Sequence, residues 1–339
     1  MSERYSRQIL FPGIGKDGQQ KLADGRVLIL GCGALGAAHA ESMVRAGTGF
    51  VRLVDRDFVE YSNLQRQSLY TEEDAHDRTP KAIAARNRLT QINSAIEIDA
   101  IVADVNQTNI EEFVADVDLV LDGTDNFQIR YLLNDASVKT GKPWVYGAAV
   151  SSYGTTMTII PGETPCLRCI FEEIPAAGSA PTCDTAGVIQ PIISAVSSVQ
   201  VTEAFKILTG KTDELHRSLL QIDIWRSDWR KIKASKPNID CPCCGAEKFE
   251  FLNASEQDFL TSLCGRNAVQ VRPQNAAQID LEALARRLSS FGEFKVNEYL
   301  LRFVVEDYEI TVFKDARAII KGTDDNAAAR SVYSKYVGN

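Results

Sequence analysis

The chain has 339 residues, 45% of them hydrophobic, enough for one large core with a smaller one beside it. A formal net charge of −8 with no basic stripe to offset it disfavours a nucleic acid or a membrane surface as partner, and favours a small molecule or another protein. The opening MSERYSRQILFPG lacks the order of a signal peptide and no apolar run reads as bilayer-spanning. The expected location is therefore cytoplasmic, where eight cysteines suggest metal or thiol chemistry rather than disulfides.

Taken in chain order, RVLILGCGALG from Arg26 reads as a buried aliphatic strand running into a glycine turn, with a helix through 37–46 and a second strand, FVRLVD, at 50–55. That is one parallel βαβ unit. Further strands are expected in AIEIDAIV from Ala95 and VDLVLD from Val117, with helices over 81–92 and 129–140, giving a Rossmann-like doubly wound α/β sheet. After Pro143, WVYGAAV, GTTMTIIP and LLQIDIW follow without helices between them, as antiparallel additions would. The segment 187–210 is apolar on most faces and ends at Gly210, a buried helix. CPCCG at 241–245 closes a first domain, 1–247. A polar stretch around 253–258 then links it to a small α+β domain, 248–339, built from NAVQVRP, DLEALARRL, NEYLLRFVV, EITVFK, ARAIIKG and NAAARSVYSKY.

GCGALG carries Gly31, Gly33 and Gly36 in the GxGxxG pattern, and Asp55 ends the next strand, nineteen residues past the last glycine. Such a turn lets backbone amides at a helix start face a phosphate while the acid reaches ribose hydroxyls. The loop DRDFVEYSNLQRQ then gathers Asp57, Asn63, Arg66 and Gln67, and Lys81 follows in TPKA at a helix start. Arg66 and Lys81 place two cations where the β- and γ-phosphates of a nucleoside triphosphate would lie, which suits ATP better than NAD. Either could instead be a solvated surface charge. In DGTDN, Asp125, with Asp122 in support, can hold Mg2+ between phosphates, or the loop simply caps the next helix.

Cys166 and Cys169 form one CxxC and Cys241 and Cys244 another, 71 residues apart. Two such pairs, read as hairpin-like knuckles, make a closed four-thiolate Zn2+ site with no open position for catalysis. Cys243 is left as a bystander and Cys32 as a packing residue of the glycine turn. Cys183 precedes the 187–210 helix, whose dipole would favour its thiolate, and stands beyond the small residues of 176–180; it reads as either a nucleophile or a partly buried thiol. Cys264, with Arg266 nearby, is a further candidate thiol.

The ordered set RYSRQILFPGIG, GCGALG, LVDRDFVEYSNLQRQ, TPKA, DGTDN, PCLRC, TCDTAGV and CPCCG resembles the ThiF/MoeB/HesA family, bacterial relatives of the ubiquitin-activating enzymes, over residues 1 to about 247. The resemblance implies an adenylyltransferase. Using MgATP, it would adenylate the C-terminal glycine of a ubiquitin-like sulfur carrier (ThiS-like or MoaD-like, with a Gly-Gly end), preparing it for thiocarboxylate formation in thiamine or molybdopterin biosynthesis. It further implies ribose binding by Asp55, phosphate binding by Asn63, Arg66 and Lys81, and metal and reacting-centre roles for Asp125. Arg7 would reach the partner's ATP site in a homodimer, and Cys183 matches a position that in some relatives links covalently to the carrier while a sulfur donor protein acts. The rival readings are an NAD-dependent oxidoreductase, which lacks an evident acid among His39, His76 and His216, and a non-catalytic binder of a ubiquitin-like protein, which would have lost the phosphate ligands present here.

Overall fold

A computed structural model describes residues 3–175, 183–234, 236–254, 262–263, 267–271, 278–289, 291 and 294–338. Two short N-terminal helices, α1 (Ser6–Ile9) and α2 (Gly15–Asp24), precede the alternation that builds the large sheet. That alternation runs β1 (Arg26–Leu30), α3 (Ala34–Ala46), β2 (Phe50–Asp55), α4 (Glu72–His76), α5 (Lys81–Ile92), β3 (Glu97–Val102), α6 (Ile110–Ala115), β4 (Leu119–Asp122) and α7 (Phe127–Thr140). Next come β5 (Trp144–Val150), β6 (Tyr153–Ile159), α8 (Leu167–Ile170), α9 (Cys183–Ala186), α10 (Gln190–Thr209), β7 (Ser218–Asp223) and β8 (Asp228–Lys233).

These strands form one eight-stranded sheet in the order β3-β2-β1-β4-β5-β6-β7-β8, parallel from β3 to β5 and antiparallel from β5 to β8. The expected Rossmann-like sheet with antiparallel additions is what the chain forms. Burial on both faces explains the aliphatic runs: Val27 and Ile29 pack on one side with residues of α3, α5 and α10, and Leu28 and Leu30 on the other with α6 and α7. The chain leaves β1 toward β2 on one side and returns to β4 on the other, so the C-terminal ends of β1 and β4 flank a topological switch point, where open α/β sheets bind ligands.

Helix α10 departs from one expectation. By length and composition it could cross a membrane, and half of its most apolar window is buried inside the fold. It packs against α3, β5 and β6 and carries Gln200 and Glu203 into the interior, as a core helix does.

By its contacts the chain divides into two compact units, the first covering the described residues through 254. It runs past residue 247 because Phe249, Phe251 and Leu252 pack on the same core as Trp144 and Cys166. The second unit is a six-stranded antiparallel sheet, order β11-β12-β13-β14-β10-β9, with β9 (Ser262–Leu263), β10 (Ala268–Val271), β11 (Phe294–Val296), β12 (Leu300–Val305), β13 (Tyr308–Phe313) and β14 (Ala318–Lys321). Helices α11 (Leu281–Leu288) and α12 (Asn326–Tyr336) cover it, closing a core around Leu284, Leu301, Ile310, Ile320 and Tyr333. Most of the expected linker, from residue 255 on, lies outside the described residues.

Candidate nucleotide site and thiol cluster

The glycine turn sits at the C-terminal end of β1. Gly31 has φ +84°, the left-handed region where glycine alone is unstrained. A side chain on Gly36 would run into the Gly31 carbonyl, so helix and strand approach as closely as the pattern requires. Gly123 closes the third side: a Cβ there would lie 2.6 Å from the Gly31 oxygen and 2.7 Å from Gly36 Cα. Sequence reading did not single out Gly123, because its constraint comes from packing against a turn ninety residues away. Gly33 differs from these three, since the nearest atom to a Cβ placed there is 3.7 Å away. Nothing among the described residues requires Gly33 to be glycine. It heads α3 without a side-chain cap, and the first turn of α3 carries no acid, so no side chain of that turn offsets the positive end of the helix.

Asp55, at the end of β2, is 9% exposed. Its carboxylate accepts from the amides of Cys32 and Asp57, both at 2.6 Å, and so fixes the glycine turn as well as standing beside it. Burial raises its pKa, and the charge of Lys81 opposes that rise. Cys32 packs as expected, 1% exposed, with its carbonyl accepting from the Tyr70 hydroxyl at 2.6 Å. Lys81 opens α5 and is brought to Asp55 by a short bridge between Phe58 and Pro80. Its amide donates to the Asp57 carbonyl at 2.9 Å and its Nζ lies 3.3 Å from Asp57 Oδ2. At 6% exposed, Lys81 is a buried cation at the sheet edge, not a solvated surface charge.

Asn63 is buried, and its Oδ1 accepts from the amide of Glu60 at 3.0 Å as part of a reciprocal cap on the turn Tyr61–Asn63. Gln67 is buried as well, with Oε1 unpartnered among the described residues. Arg66 is half-buried and tied to its own turn through the Ser62 carbonyl at 2.8 Å; no contact among the described residues joins it to Lys81.

The second loop of the switch point corrects one expectation. Asp122 is unavailable to a metal ion: it is 0% exposed, its Oδ2 lies 3.0 Å from Arg130 Nε, and its Oδ1 accepts from Thr124 N at 2.9 Å and Thr124 Oγ1 at 2.7 Å. The helix-cap alternative falls on Asn126, whose Oδ1 accepts from the amides of Gln128 and Ile129. Asp125 is thereby left exposed and outside the capping bonds, with its charge felt by both Arg56 and Arg130. Arg130, missed in the sequence, also donates to the carbonyl of Gly147 and so locks the loop to β5.

Arg7 is exposed on α1 and makes no ion pair among the described residues. Its neighbours are anchored: Tyr5 OH accepts from Asn93 Nδ2 at 2.9 Å, and Gln8 Nε2 donates to the Ala46 carbonyl at 2.9 Å. The N-terminal segment is held to the rest of its own chain while Arg7 is left exposed.

The four thiols of Cys166, Cys169, Cys241 and Cys244 lie within 4.8 Å of one another and could hold a metal ion. Sγ separations are 3.8 Å for Cys166–Cys169, 3.6 Å for Cys166–Cys241 and 3.3 Å for Cys169–Cys244. Contacts with Cys169 and Cys243 hold the Cys166 thiol low, and its contact with Cys166, together with burial, pushes Cys169 up. The first pair is not a hairpin knuckle. Cys166 is the N-cap of α8 and Cys169 lies within that single turn, its amide donating to the Cys166 carbonyl at 3.1 Å. Cys243 is outside the foursome, fully buried against it.

Cys183 heads α9, a four-residue turn of its own, and the long helix starts only at Gln190 after Gly187 with φ +70°. The expected activation by the dipole of the long helix therefore has no structural basis here. Residues 176–182, Cys264 and Arg266 lie outside the described residues.

The model of the ThiF family matches residues 5–243. The sulfur carrier protein ThiS adenylyltransferase of Bacillus subtilis (strain 168) is 47% identical over 340 residues, covering 100% of each chain. The molybdopterin-synthase adenylyltransferase of Escherichia coli (strain K12) is 39% identical over 244 residues, 71% of this chain and 96% of its own. Among solved structures, E. coli MccB with MccA-N7isoASN superposes with a TM-score of 0.64 at 22% identity, over 72% of this chain and 74% of that one, a likeness of fold.

Proposed function

The chain belongs to the ThiF family, and from that premise we propose that it is the enzyme that adenylates the C-terminal glycine of a ubiquitin-like sulfur carrier with ATP. Relatives that bear the names of ThiS and molybdopterin-synthase adenylyltransferases support the activity. One observation supports the reading at the site: a glycine with no internal steric cause, Gly33, heads a helix that has no side-chain cap and no acid in its first turn, near the buried cation Lys81. That combination suits a chain of phosphates.

In the reaction, a carboxylate oxygen of the carrier's last residue attacks the α-phosphorus of ATP, the bond to the β-phosphate oxygen breaks, and pyrophosphate leaves. No proton moves in this step, so the protein's task is to place two anions in line and neutralise them. Lys81, Arg66, Asn63 and Gln67 bind the phosphates, the amides at the start of α3 face the anion across Gly33, and Asp55 bonds the ribose. Asp125 would hold Mg2+, which would supply charge neutralisation on the phosphates. Two enzyme copies form a homodimer in which Arg7 of each reaches the other's ATP. The three histidines are not needed: His39 is fully buried and bonded to Gln200, which also removes it as the acid an NAD-dependent oxidoreductase would use.

Zn2+ is the ion that suits the four thiols. Bonds of about 2.3 Å in a tetrahedron set neighbouring sulfurs about 3.8 Å apart, close to the 3.8, 3.6 and 3.3 Å found. The site is structural, since all four positions are filled by protein. Cys183 serves as the nucleophile: its thiolate attacks the carrier's acyl-adenylate carbonyl, the bond to AMP breaks and AMP leaves, and the resulting thioester holds the carrier for a sulfur donor protein. The product thiocarboxylate serves thiamine or molybdopterin biosynthesis in the cytoplasm. The class of nucleotide is tested by thermal shift: ATP with Mg2+ raises the melting temperature and NAD does not, and the reverse result overturns the reading.

A further inference from the structure

Helix α7 carries a buried asparagine that holds both halves of the thiol cluster. Asn134 is 0% exposed, mid-helix, one turn beyond Arg130 on the same face. A buried amide must place its acceptor and its donors. Here Oδ1 accepts from the Leu167 amide at 2.7 Å, and Nδ2 donates to Cys243 Sγ at 3.2 Å. The amide cannot be turned around, because the Leu167 N–H can only donate. Leu167 directly follows Cys166, and Cys243 lies between Cys241 and Cys244. One side chain thus grips each cysteine pair next to its ligands.

Neighbouring contacts reinforce the grip from the same helix. Asp135 Oδ2 accepts from the Phe251 amide at 2.8 Å, which holds the chain just beyond the second pair. Cys243, which has no place among the four ligands, gains a purpose as the acceptor for Asn134. Loss of a group that orients metal ligands typically costs about 10- to 100-fold in metal affinity.

We infer that Asn134 is a positioning residue for the metal site: its carboxamide fixes the two cysteine pairs in register so that four thiolates converge on one ion. This rests on the proposal that the foursome binds zinc. The test is zinc content of the purified protein, followed by zinc affinity in competition with a chromogenic chelator. In Asn134→Ala, affinity falls about 10- to 100-fold. Cys243→Ser, which keeps an acceptor for Nδ2, stays near the parent, whereas Cys243→Ala, which removes it, weakens zinc several-fold. The Cys243 pair keeps the test open if Asn134→Ala fails to fold. A parent without zinc overturns the zinc reading itself. A parent with zinc whose variants keep the same affinity, even at a lower melting temperature, overturns the role of Asn134 and makes it a packing residue.

Discussion

Asp122 and Arg130 form an ion pair sealed inside the fold, 3.0 Å apart with side chains 0% and 6% exposed, while Asp125, three residues on, stands in solvent. The two aspartates of one loop therefore have separable tasks. Asp122→Asn leaves a buried guanidinium without its counter-charge and lowers stability by about 3–5 kcal/mol, read by urea denaturation. Asp125→Asn changes stability by no more than about 0.5 kcal/mol and abolishes pyrophosphate exchange. Equal melting behaviour of the two variants would contradict the division.

The proposal that Arg7 completes the other copy's site makes a prediction about mixtures. Arg7→Ala and Lys81→Met are each inactive as homodimers. In a mixed dimer, the site that retains Lys81 receives Arg7 from the other chain, and its companion site lacks both. Random mixing makes half the dimers mixed, so co-refolded or co-expressed chains recover roughly a quarter of the parent's exchange activity. No recovery would place Arg7 in its own subunit's site or outside any site.

His39 ties stability to pH. Burial lowers its pKa from 6.5 to about 4, with the Gln200 bond opposing the shift. Above pH 6.5 both folded and unfolded chains keep it neutral. Below that, the unfolded chain takes the proton first, so stability is lost as pH falls from 6.5 toward 4, by about 2 kcal/mol at pH 5 and about 3 kcal/mol in full. Urea unfolding of the parent and of His39→Gln at a series of pH values isolates this term, which is absent from the variant.

The parts of this account that the sequence carried are those set by local pattern. Val27 to Leu30, Gly31 and Gly36 state a strand and a turn by themselves, and the two CxxC spacings state a four-thiol cluster. What stayed hidden depends on contacts between distant elements. Gly123 is an ordinary loop glycine until it meets Gly31 and Gly36. Arg130 and Asn134 read as polar positions on a helix face, and only the burial of that face between a loop and two cysteine pairs gives each its partners. Asp122 misled for the same reason: an acid after a strand reads as a metal ligand until the arginine that occupies it is seen. Cys183 reads as standing directly before a helix that begins at Gly187, whereas it opens a short turn of its own, Cys183–Ala186, and the long helix begins only at Gln190, beyond the positive φ of Gly187.

Cys183→Ala separates the two halves of the chemistry. Adenylation needs no thiol, so the variant keeps exchange at the parent's rate. It loses thiocarboxylate formation in a reconstituted assay with a sulfur donor, measured by intact mass of the carrier. Unchanged thiocarboxylate formation would reduce Cys183 to a packing residue.

The central claim is that this chain activates the end of a protein rather than a free metabolite. Exchange of labelled pyrophosphate into ATP should appear only when a ubiquitin-like sulfur carrier ending in Gly-Gly is added, and should vanish when the last glycine of that carrier is removed. Exchange without any carrier, or none with every Gly-Gly carrier tried, would contradict the account.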